Sequence, residues 1–156
     1  MRDEISRIIG EAIGHRLMKV AASVHLFEGK VDDAPIDLWL FFEGMPPLRV
    51  YGESDGWRLS VDRRSPEPFD MDESGEVVVG DVSAKTPLEA VIGKNLGGAW
   101  LVKSSGDAVG VRLDFGLPAK PLILNLDDEL LILDEYSAEA GSEEFTEIRV
   151  RSVAVK

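Results

Sequence analysis

The sequence predicts a mainly β fold of the α+β class, in which two tandem repeats each contain a helix followed by an antiparallel meander. Three observations predict it: an alternating apolar pattern that occurs twice, a helix-stop motif that occurs twice, and short connections between successive strands. We expect the repeats, at about residues 3–82 and 86–153, to form one pseudo-twofold β-sandwich or partly open barrel. A length of 156 residues with 44% hydrophobic content favours a single domain, residues 1–156, with one shared core.

The alternating pattern is clearest in Ile36–Glu43 and recurs 73 positions later in Val109–Gly116. Every second residue of both segments is apolar, which is the period of a β-strand. A connection rich in Gly and Pro follows each strand, then a second apolar run, an acidic turn and a third run. The second runs match as Leu48 and Val50 with Leu122 and Leu124, and the third runs as Trp57, Leu59 and Val61 with Leu130 and Ile132. Each repeat therefore contains three predicted strands in a row.

A helix is predicted at the start of each repeat. Residues 3–13, with Asp3 as the cap, carry apolar side chains at helical spacing: Ile5, Ile8, Ile9, Ala12 and Ile13. The second helix has a cap, an initial proline and an apolar stripe at Thr86, Pro87, Leu88, Val91 and Ile92. Both helices run into an Ile-Gly-x-x-Leu segment, at 13–17 and at 92–96. The glycine stops the helix because it adopts the left-handed conformation without a steric cost.

The first and last strands complete each repeat. The first strands are predicted at Leu17–Phe27 and Ala99–Lys103, and the last at Glu76–Val82 and Phe145–Val153. Loop 28–35 accounts for six residues that have no counterpart in the second repeat.

Composition excludes several classes of protein. The chain has no cysteine, so disulfides, thiolate metal sites and a cysteine nucleophile are excluded, and a reducing cytoplasm is the expected location. We expect no secretory signal, because the N-terminus begins with Arg2, Asp3 and Glu4 and lacks a long apolar core, and no membrane span, because no apolar run reaches about 18 residues. The net charge is −12, from 17 basic and 29 acidic residues. Because phosphate neutralisation requires a basic surface, we expect no binding to nucleic acid or to an anionic membrane.

Residues 65–84 and 121–148 are rich in acidic side chains and contain no Lys or Arg. Such stretches are typical either of a solubilising surface or of a surface that meets a basic partner. On the second interpretation, the partner-binding residues are Asp70, Asp72, Glu73, Asp127, Asp128, Glu129, Asp134, Glu135, Glu139, Glu143 and Glu144.

Patterns that indicate catalysis or cofactor binding are weak. His15 follows a helix end and His25 lies on the polar side of the first strand, so we interpret both as surface or capping residues. The acidic clusters lack the spacing of a calcium loop. Gly93–Gly98 lacks the flanking strand and helix of a phosphate-binding loop. We therefore predict no catalytic residue, no metal and no cofactor.

Trp39 and Phe41 lie on the side of their strand opposite to Leu38 and Leu40, so this strand is apolar on both faces. We expect this strand to be central, with its second face covered by a helix; the alternative is an exposed aromatic contact surface.

These observations favour a non-enzymatic, acidic, cytoplasmic binding protein that sequesters a basic protein, as an immunity protein or inhibitor does with a toxin nuclease. One alternative is a small-ligand-binding protein or lyase-like enzyme that uses the interior of a barrel. The inward positions are Leu, Val, Ile and Phe, which instead predicts a filled core. Another alternative is a structural subunit of a larger assembly. The sequence favours no particular oligomeric state.

Overall fold

The computed structural model describes residues 4–28, 30–31, 35–53, 55–66, 69–70, 76–81, 87–118, 120–126, 129–133 and 145–153. This part of the chain contains one α-helix, one 3₁₀ helix and twelve strands in two antiparallel sheets. The prediction of a mainly β fold of the α+β class is therefore confirmed. None of the described helices is long and apolar enough to cross a membrane.

The helical elements are α1 (Glu4–Ala12) and the 3₁₀ helix η1 (Pro87–Val91). The strands of the first sheet are β1 (Leu17–Phe27), β2 (Lys30–Val31), β3 (Asp37–Phe42), β4 (Leu48–Gly52), β5 (Leu59–Asp62), β6 (Phe69–Asp70) and β7 (Glu76–Asp81). The strands of the second sheet are β8 (Gly98–Ser104), β9 (Asp107–Asp114), β10 (Leu122–Leu126), β11 (Glu129–Leu133) and β12 (Thr146–Arg149).

The strand order of the two sheets follows one scheme. In the first sheet it is β5-β4-β3-β1-β7-β6, with β2 paired to the far end of β1. In the second sheet it is β11-β10-β9-β8-β12. Thus β1 and β8 occupy equivalent positions. Each has the next strand of its meander on one side, β3 or β9, and a later strand on the other, β7 or β12. Within the described residues, neither sheet closes on itself.

The two Ile-Gly-x-x-Leu segments pair with each other. Gly14 N donates to Leu96 O at 2.7 Å, and Gly93 N donates to Leu17 O at 2.7 Å. Both glycines have positive φ, 97° and 87°, as expected for residues that end a helix.

Two further hydrogen bonds join the same two segments. Leu17 N donates to Lys94 O at 3.0 Å, and Leu96 N donates to His15 O at 2.9 Å. The antiparallel bridge at the centre of this contact joins Arg16 and Asn95.

One core joins both sheets and both helical elements. Its buried residues include Ile9 of α1, Val50 of β4, Leu88 of η1, Leu113 of β9 and Ile123 of β10. A void of about 10 Å³ remains between α1 and the two sheets, and its lining side chains are apolar. Such a void has about the volume of one water probe and offers that water no polar side chain.

Trp39, on the second face of β3, is buried as expected, but its indole bonds to a loop segment and not to a helix. Its side chain is 2% exposed, and its indole Nε1 donates to the carbonyl oxygen of Arg64 at 2.7 Å. The cover comes from the segment after β5. Phe41 is half-buried, and the ammonium of Lys19 lies 4.8 Å from its ring centroid.

The match between the second apolar runs was wrong by one residue. Ile123 pairs with Val111 and faces the core together with it, so Ile123 takes the place of Val50. Leu122 and Leu124 lie on the opposite side, in a smaller apolar cluster. Because the side-chain period of a strand is two, a shift of one residue moves every side chain to the other face. The apolar character of β10 on both sides conceals this register in the sequence.

Three other predicted details differ from the structure. The fifth strand begins at Leu59, so Trp57 lies in the preceding turn and is 51% exposed instead of facing the core. The second helix is 3₁₀, a geometry common in helices of only a few residues. The last strand spans only Thr146–Arg149, and all four of its residues are exposed because it lies at the edge of its sheet.

Gly10 of α1 allows the C-terminal segment to cross the helix, and Gly10→Ala should therefore destabilise the fold. A Cβ at this position would lie 2.3 Å from the carbonyl oxygen of Arg151, and Val153 N donates to Gly10 O at 3.0 Å. Alanine ordinarily stabilises a helix interior by about 1 kcal/mol relative to glycine. Here we expect a loss of about 1–3 kcal/mol in the free energy of unfolding, because the backbone must move. Urea denaturation measures it.

The matched control is Gly80→Ala in β7, where a Cβ would meet nothing within 4 Å. We expect this variant to change the free energy of unfolding by less than about 0.5 kcal/mol. A Gly10→Ala variant as stable as the parent would contradict the close crossing.

Candidate functional site

Most of the predicted partner-binding residues lie outside the described part of the chain: Asp72, Glu73, Asp127, Asp128, Asp134, Glu135, Glu139, Glu143 and Glu144. The other two lie on strands of different sheets. Asp70 of β6 is paired with Glu76 of β7, and Glu129 of β11 is paired with Leu126 of β10. Each pair is the last of its ladder and lies on either side of the connection between its two strands. These connections, residues 71–75 and 127–128, contain acidic residues.

Many basic side chains of the described part are held by carboxylates of the same chain. The pairs are Arg7 with Glu4 and Glu11, Arg16 with Glu43, Arg49 with Asp37 and Asp62, Arg58 with Asp55, Arg63 with Glu11, and Arg112 with Glu147. Arg49 and Arg112 each make a two-pronged contact with one carboxylate, and their side chains are only 13% and 14% exposed. Six of the 17 basic residues are therefore paired with carboxylates of the chain, which has 29 acidic residues and a net charge of −12.

Arg49 is the centre of a charged network on the outer face of the first sheet. Its Nε and Nη2 donate to the two oxygens of Asp62 at 2.8 and 2.6 Å, and its Nη1 lies 3.5 Å from Asp37 Oδ1. Ser23 Oγ donates to Asp37 Oδ2 at 3.2 Å. The guanidinium also lies 4.0 Å from the ring centroid of Tyr51.

The two aspartates respond differently to the shared arginine. Burial raises the pKa of Asp37, and the attraction of Arg49 offsets only part of this effect. Burial also acts to raise the pKa of Asp62, but hydrogen bonds from Arg49 and from Arg64 N hold it below its usual value. Asp62 receives the two short bonds and is 37% exposed, whereas Asp37 is 20% exposed. Within the described residues no buried side-chain polar atom lacks a partner, so we interpret the network as structural.

The turn between β4 and β5 presents the exposed Trp57. Glu53 N donates to Arg58 O at 2.7 Å and closes the turn, and Gly56 has φ 91°. Asp55 Oδ1 accepts hydrogen bonds from Arg58 N and Trp57 N, each at 3.0 Å. These bonds, with that from Arg58 N acting most strongly, lower the pKa of Asp55 to about 2. The carboxylate thus remains charged and keeps the turn in shape over the physiological pH range.

Two contacts hold this turn against the second sheet. Trp57 Nε1 donates to Asp107 Oδ2, at the start of β9, at 3.2 Å. Asn125 of β10 is 2% exposed, and its Nδ2 donates to Arg58 O at 2.9 Å. The turn is therefore fixed at the C-terminal end of β10. In the sequence, the acidic segment that begins at Asp127 follows this strand.

The two histidines lie apart, one after α1 and the other in β1. His15 is exposed, and its Nδ1 lies 2.9 Å from the carbonyl oxygen of Glu43. His25 lies in β1, paired with Val77 of β7. Across the parts of the chain that the structure describes, no group of three or more His, Asp or Glu residues is arranged to hold a metal ion.

Trp57 is the candidate residue that the sequence analysis placed in the wrong environment. The sequence analysis assigned it to the third apolar run of the first repeat, with Leu59 and Val61. The sequence signal for a turn is the preceding Asp55-Gly56 pair. An Asp side chain accepts a hydrogen bond from the backbone N–H two residues further on, which extends a turn. That bond, from Trp57 N, keeps the tryptophan out of the strand.

In comparisons with known proteins, no family model, no curated protein and no solved structure matches this chain. Charge and geometry are therefore the grounds on which a function is inferred.

Arg49→Met should lower the free energy of unfolding by about 1–3 kcal/mol at pH 7, because two half-buried carboxylates lose their cation. Arg49 helps to hold the pKa of Asp62 below its ordinary value of 3.8, and that contribution to stability is lost as the pH falls through the folded-state pKa. The difference between variant and parent should therefore shrink between pH 7 and pH 3. Urea unfolding at both pH values measures it.

Arg16→Met is the matched control, because it removes the same charge from an exposed ion pair. The side chains of Arg16 and its partner Glu43 are 46% and 55% exposed. We expect it to cost less than about 1 kcal/mol. A cost at Arg49 that is the same at pH 3 and pH 7 would mean that packing, rather than charge, is what the arginine contributes.

Proposed function

We propose that this chain is a non-enzymatic, acidic binding protein that sequesters a basic protein. One observation carries the proposal: six arginines of the described part are paired with carboxylates of the same chain, while residues 65–84 and 121–148 contain acids and no base. An excess of unneutralised carboxylates creates a negative potential that attracts positive surfaces and speeds their encounter.

The partner that best fits this surface is a toxin nuclease, and the chain would then act as its immunity protein or inhibitor in the cytoplasm. A nuclease needs a basic surface to bind an anionic substrate, so an acidic protein can cover that surface. The proposed contact residues are the acidic residues of the segments around 70–73 and 127–144. Absence of cysteine fits a reducing compartment.

Binding at the surface is favoured over binding in the interior. Pockets for small molecules have volumes of roughly 300–1,000 Å³ and contain a few polar groups that orient the ligand. The interior void between α1 and the sheets is about 10 Å³ and is lined by apolar side chains. Among the described residues, the small volume of this void supports a protein partner rather than a small ligand.

For the fold, we propose a duplicated unit with pseudo-twofold symmetry, in which the two sheets pack as a sandwich. The common strand order and the reciprocal hydrogen bonds of residues 14–17 and 93–96 support it. Burial also agrees: Leu40 and Leu113 are each 2% exposed, and Phe42 and Phe115 are 3% and 5% exposed. Internal duplication explains the repeats without a functional cause.

Leu40→Ala and Leu113→Ala should have similar costs, because the duplicated unit places both side chains in one core. We expect each to lower the free energy of unfolding by about 2–5 kcal/mol, through lost transfer energy and the cavity left behind. Ile148→Ala, at a residue that is 51% exposed, is the control and should cost little. Chemical denaturation measures all three. A loss near zero at either leucine would contradict the equivalence.

Substitution of Asp127, Asp128 and Glu129 by Asn, Asn and Gln should slow association with the basic partner roughly threefold to tenfold at low salt, while the fold remains intact. Exposed charges act mainly on the association rate, and at about 0.15 M salt they are screened over roughly 8 Å. Surface capture of the co-purifying partner at several salt concentrations measures the rate, and circular dichroism checks the fold.

Asp32→Asn with Asp33→Asn provides the control, since these acids belong to the loop that has no counterpart in the second repeat. Their removal should have a smaller effect. A partner that is neutral or acidic, or an association rate indifferent to salt and to the triple substitution, would refute the proposed function.

A further inference from the structure

Three aromatic rings of the described residues are paired with cations of the same chain. The pairs are Lys19 over Phe41 at 4.8 Å, Arg49 over Tyr51 at 4.0 Å and Arg149 over Trp100 at 5.1 Å from the ring centroids. A cation above a ring face is attracted by the ring's quadrupole. Trp57 is 51% exposed, and no cation of the described residues lies over its ring. Its face is thus open to a cation from another molecule.

The charges around Trp57 favour such a cation. The turn and the aspartate bonded to it carry three acids, Glu53, Asp55 and Asp107, and one base, Arg58. The Arg58 guanidinium is bound to Asp55, whose hydrogen bond raises the pKa of Arg58, and the charges of Asp107 and Glu53 add to the effect. Asp107 and Glu53 therefore both lie close enough to Arg58 for their charges to act on it.

Asp107 has capacity for a further donor. Its Oδ2 accepts the hydrogen bond from Trp57 Nε1, and within the described residues its carboxylate accepts no other side-chain hydrogen bond. A carboxylate has two oxygens with about four acceptor positions. A guanidinium that stacks on the indole can therefore also donate to Asp107, since arginine is planar and presents several N–H groups.

Trp57 and its turn are held in place before a partner binds. The indole is held by Asp107, the turn backbone by Asp55, and the base of the turn by the buried Asn125. A rigid tryptophan loses little conformational entropy on binding, which is a reason why tryptophan is frequent among residues that dominate interface energies.

Resting on the proposed function, we infer that Trp57 and Asp107 bind an arginine side chain of the basic partner. The guanidinium stacks on the exposed indole face and donates to the Asp107 carboxylate. Lysine fits less well, because its ammonium has no plane to stack. An apolar side chain would leave the surrounding carboxylates without a counter-charge.

A capped hexa-arginine peptide tests the inference with the full chain, against a hexa-lysine peptide and at about 20 mM salt. Isothermal titration gives the affinities, and the ¹H–¹⁵N spectrum reports on the Trp57 indole N–H. We expect hexa-arginine to shift this resonance. Trp57→Ala should weaken hexa-arginine binding roughly threefold to tenfold, which is the range of an exposed to partly desolvated cation–π contact. Trp57→Phe, which keeps a ring face, should retain part of the affinity.

Asp107→Asn and Asp114→Asn form a matched pair, because they remove the same charge from opposite ends of β9. Only the first should weaken hexa-arginine binding by more than about twofold. If hexa-arginine binds with equal affinity to the parent and to Trp57→Ala, the inference fails while the proposed function stands. Hexa-lysine that binds as tightly, with the same dependence on Trp57, also refutes it. If neither peptide binds at low salt, the proposed function itself fails.

Discussion

The contact between the two Ile-Gly-x-x-Leu segments is the constraint on which the remaining structure depends. It consists of four backbone hydrogen bonds of 2.7–3.0 Å, which run in both directions between residues 14–17 and 93–96. Each segment lies between a helical element and the first strand of a sheet, β1 or β8. Because these strands lie inside their sheets, this contact also determines where the two sheets stand relative to each other. Only a residue that tolerates positive φ can occupy positions 14 and 93 at low cost.

The two sheets differ most on their outer faces. The first carries the polar network of Ser23, Asp37 and Arg49, whereas the second carries the apolar cluster that includes Leu122 and Leu124. In the register of the strands, Arg49 stands beside the inward Val50, as Leu122 stands beside the inward Ile123. An inward residue must fill the shared core, while an outward one is free to change. On the proposed duplication, the inner faces have been kept and the outer faces have diverged, so the two repeats present different surfaces to a partner.

Local patterns in the sequence were sufficient to predict ten of the twelve described strands, but they missed the two-residue strands β2 and β6 and did not give every register. The predicted β1, Leu17–Phe27, agrees with the structure, and the predicted strands that became β3 and β9 differ by no more than two residues at each end. Alternation works there because one face is apolar and the other mixed. In β10 it fails, since Leu122, Ile123 and Leu124 are all apolar and only pairing with β9 decides which faces the core.

The candidate site was less accessible to sequence reasoning, because it depends on contacts between distant segments. Trp57 and Asp107 are 50 positions apart, and Arg58 and Asn125 are 67 apart, so no local pattern predicts that they meet. The acidic composition, by contrast, could be recognised without a structure, but composition does not say where a partner binds. Turn chemistry offered the single local clue, through Asp55 and its hydrogen bond to Trp57 N.

In the proposed function, charge and the exposed tryptophan act at different distances from the partner. Carboxylates attract a basic protein from roughly a screening length away, about 8 Å at physiological salt, and thereby act on the rate of encounter. They contribute little to the lifetime of a complex, since exposed ion pairs are worth about 1 kcal/mol or less. A surface of acids alone would capture basic proteins quickly and release them quickly. A long-lived complex also requires a contact that excludes water, and in our proposal the oriented indole of Trp57 beside Asp107 supplies it.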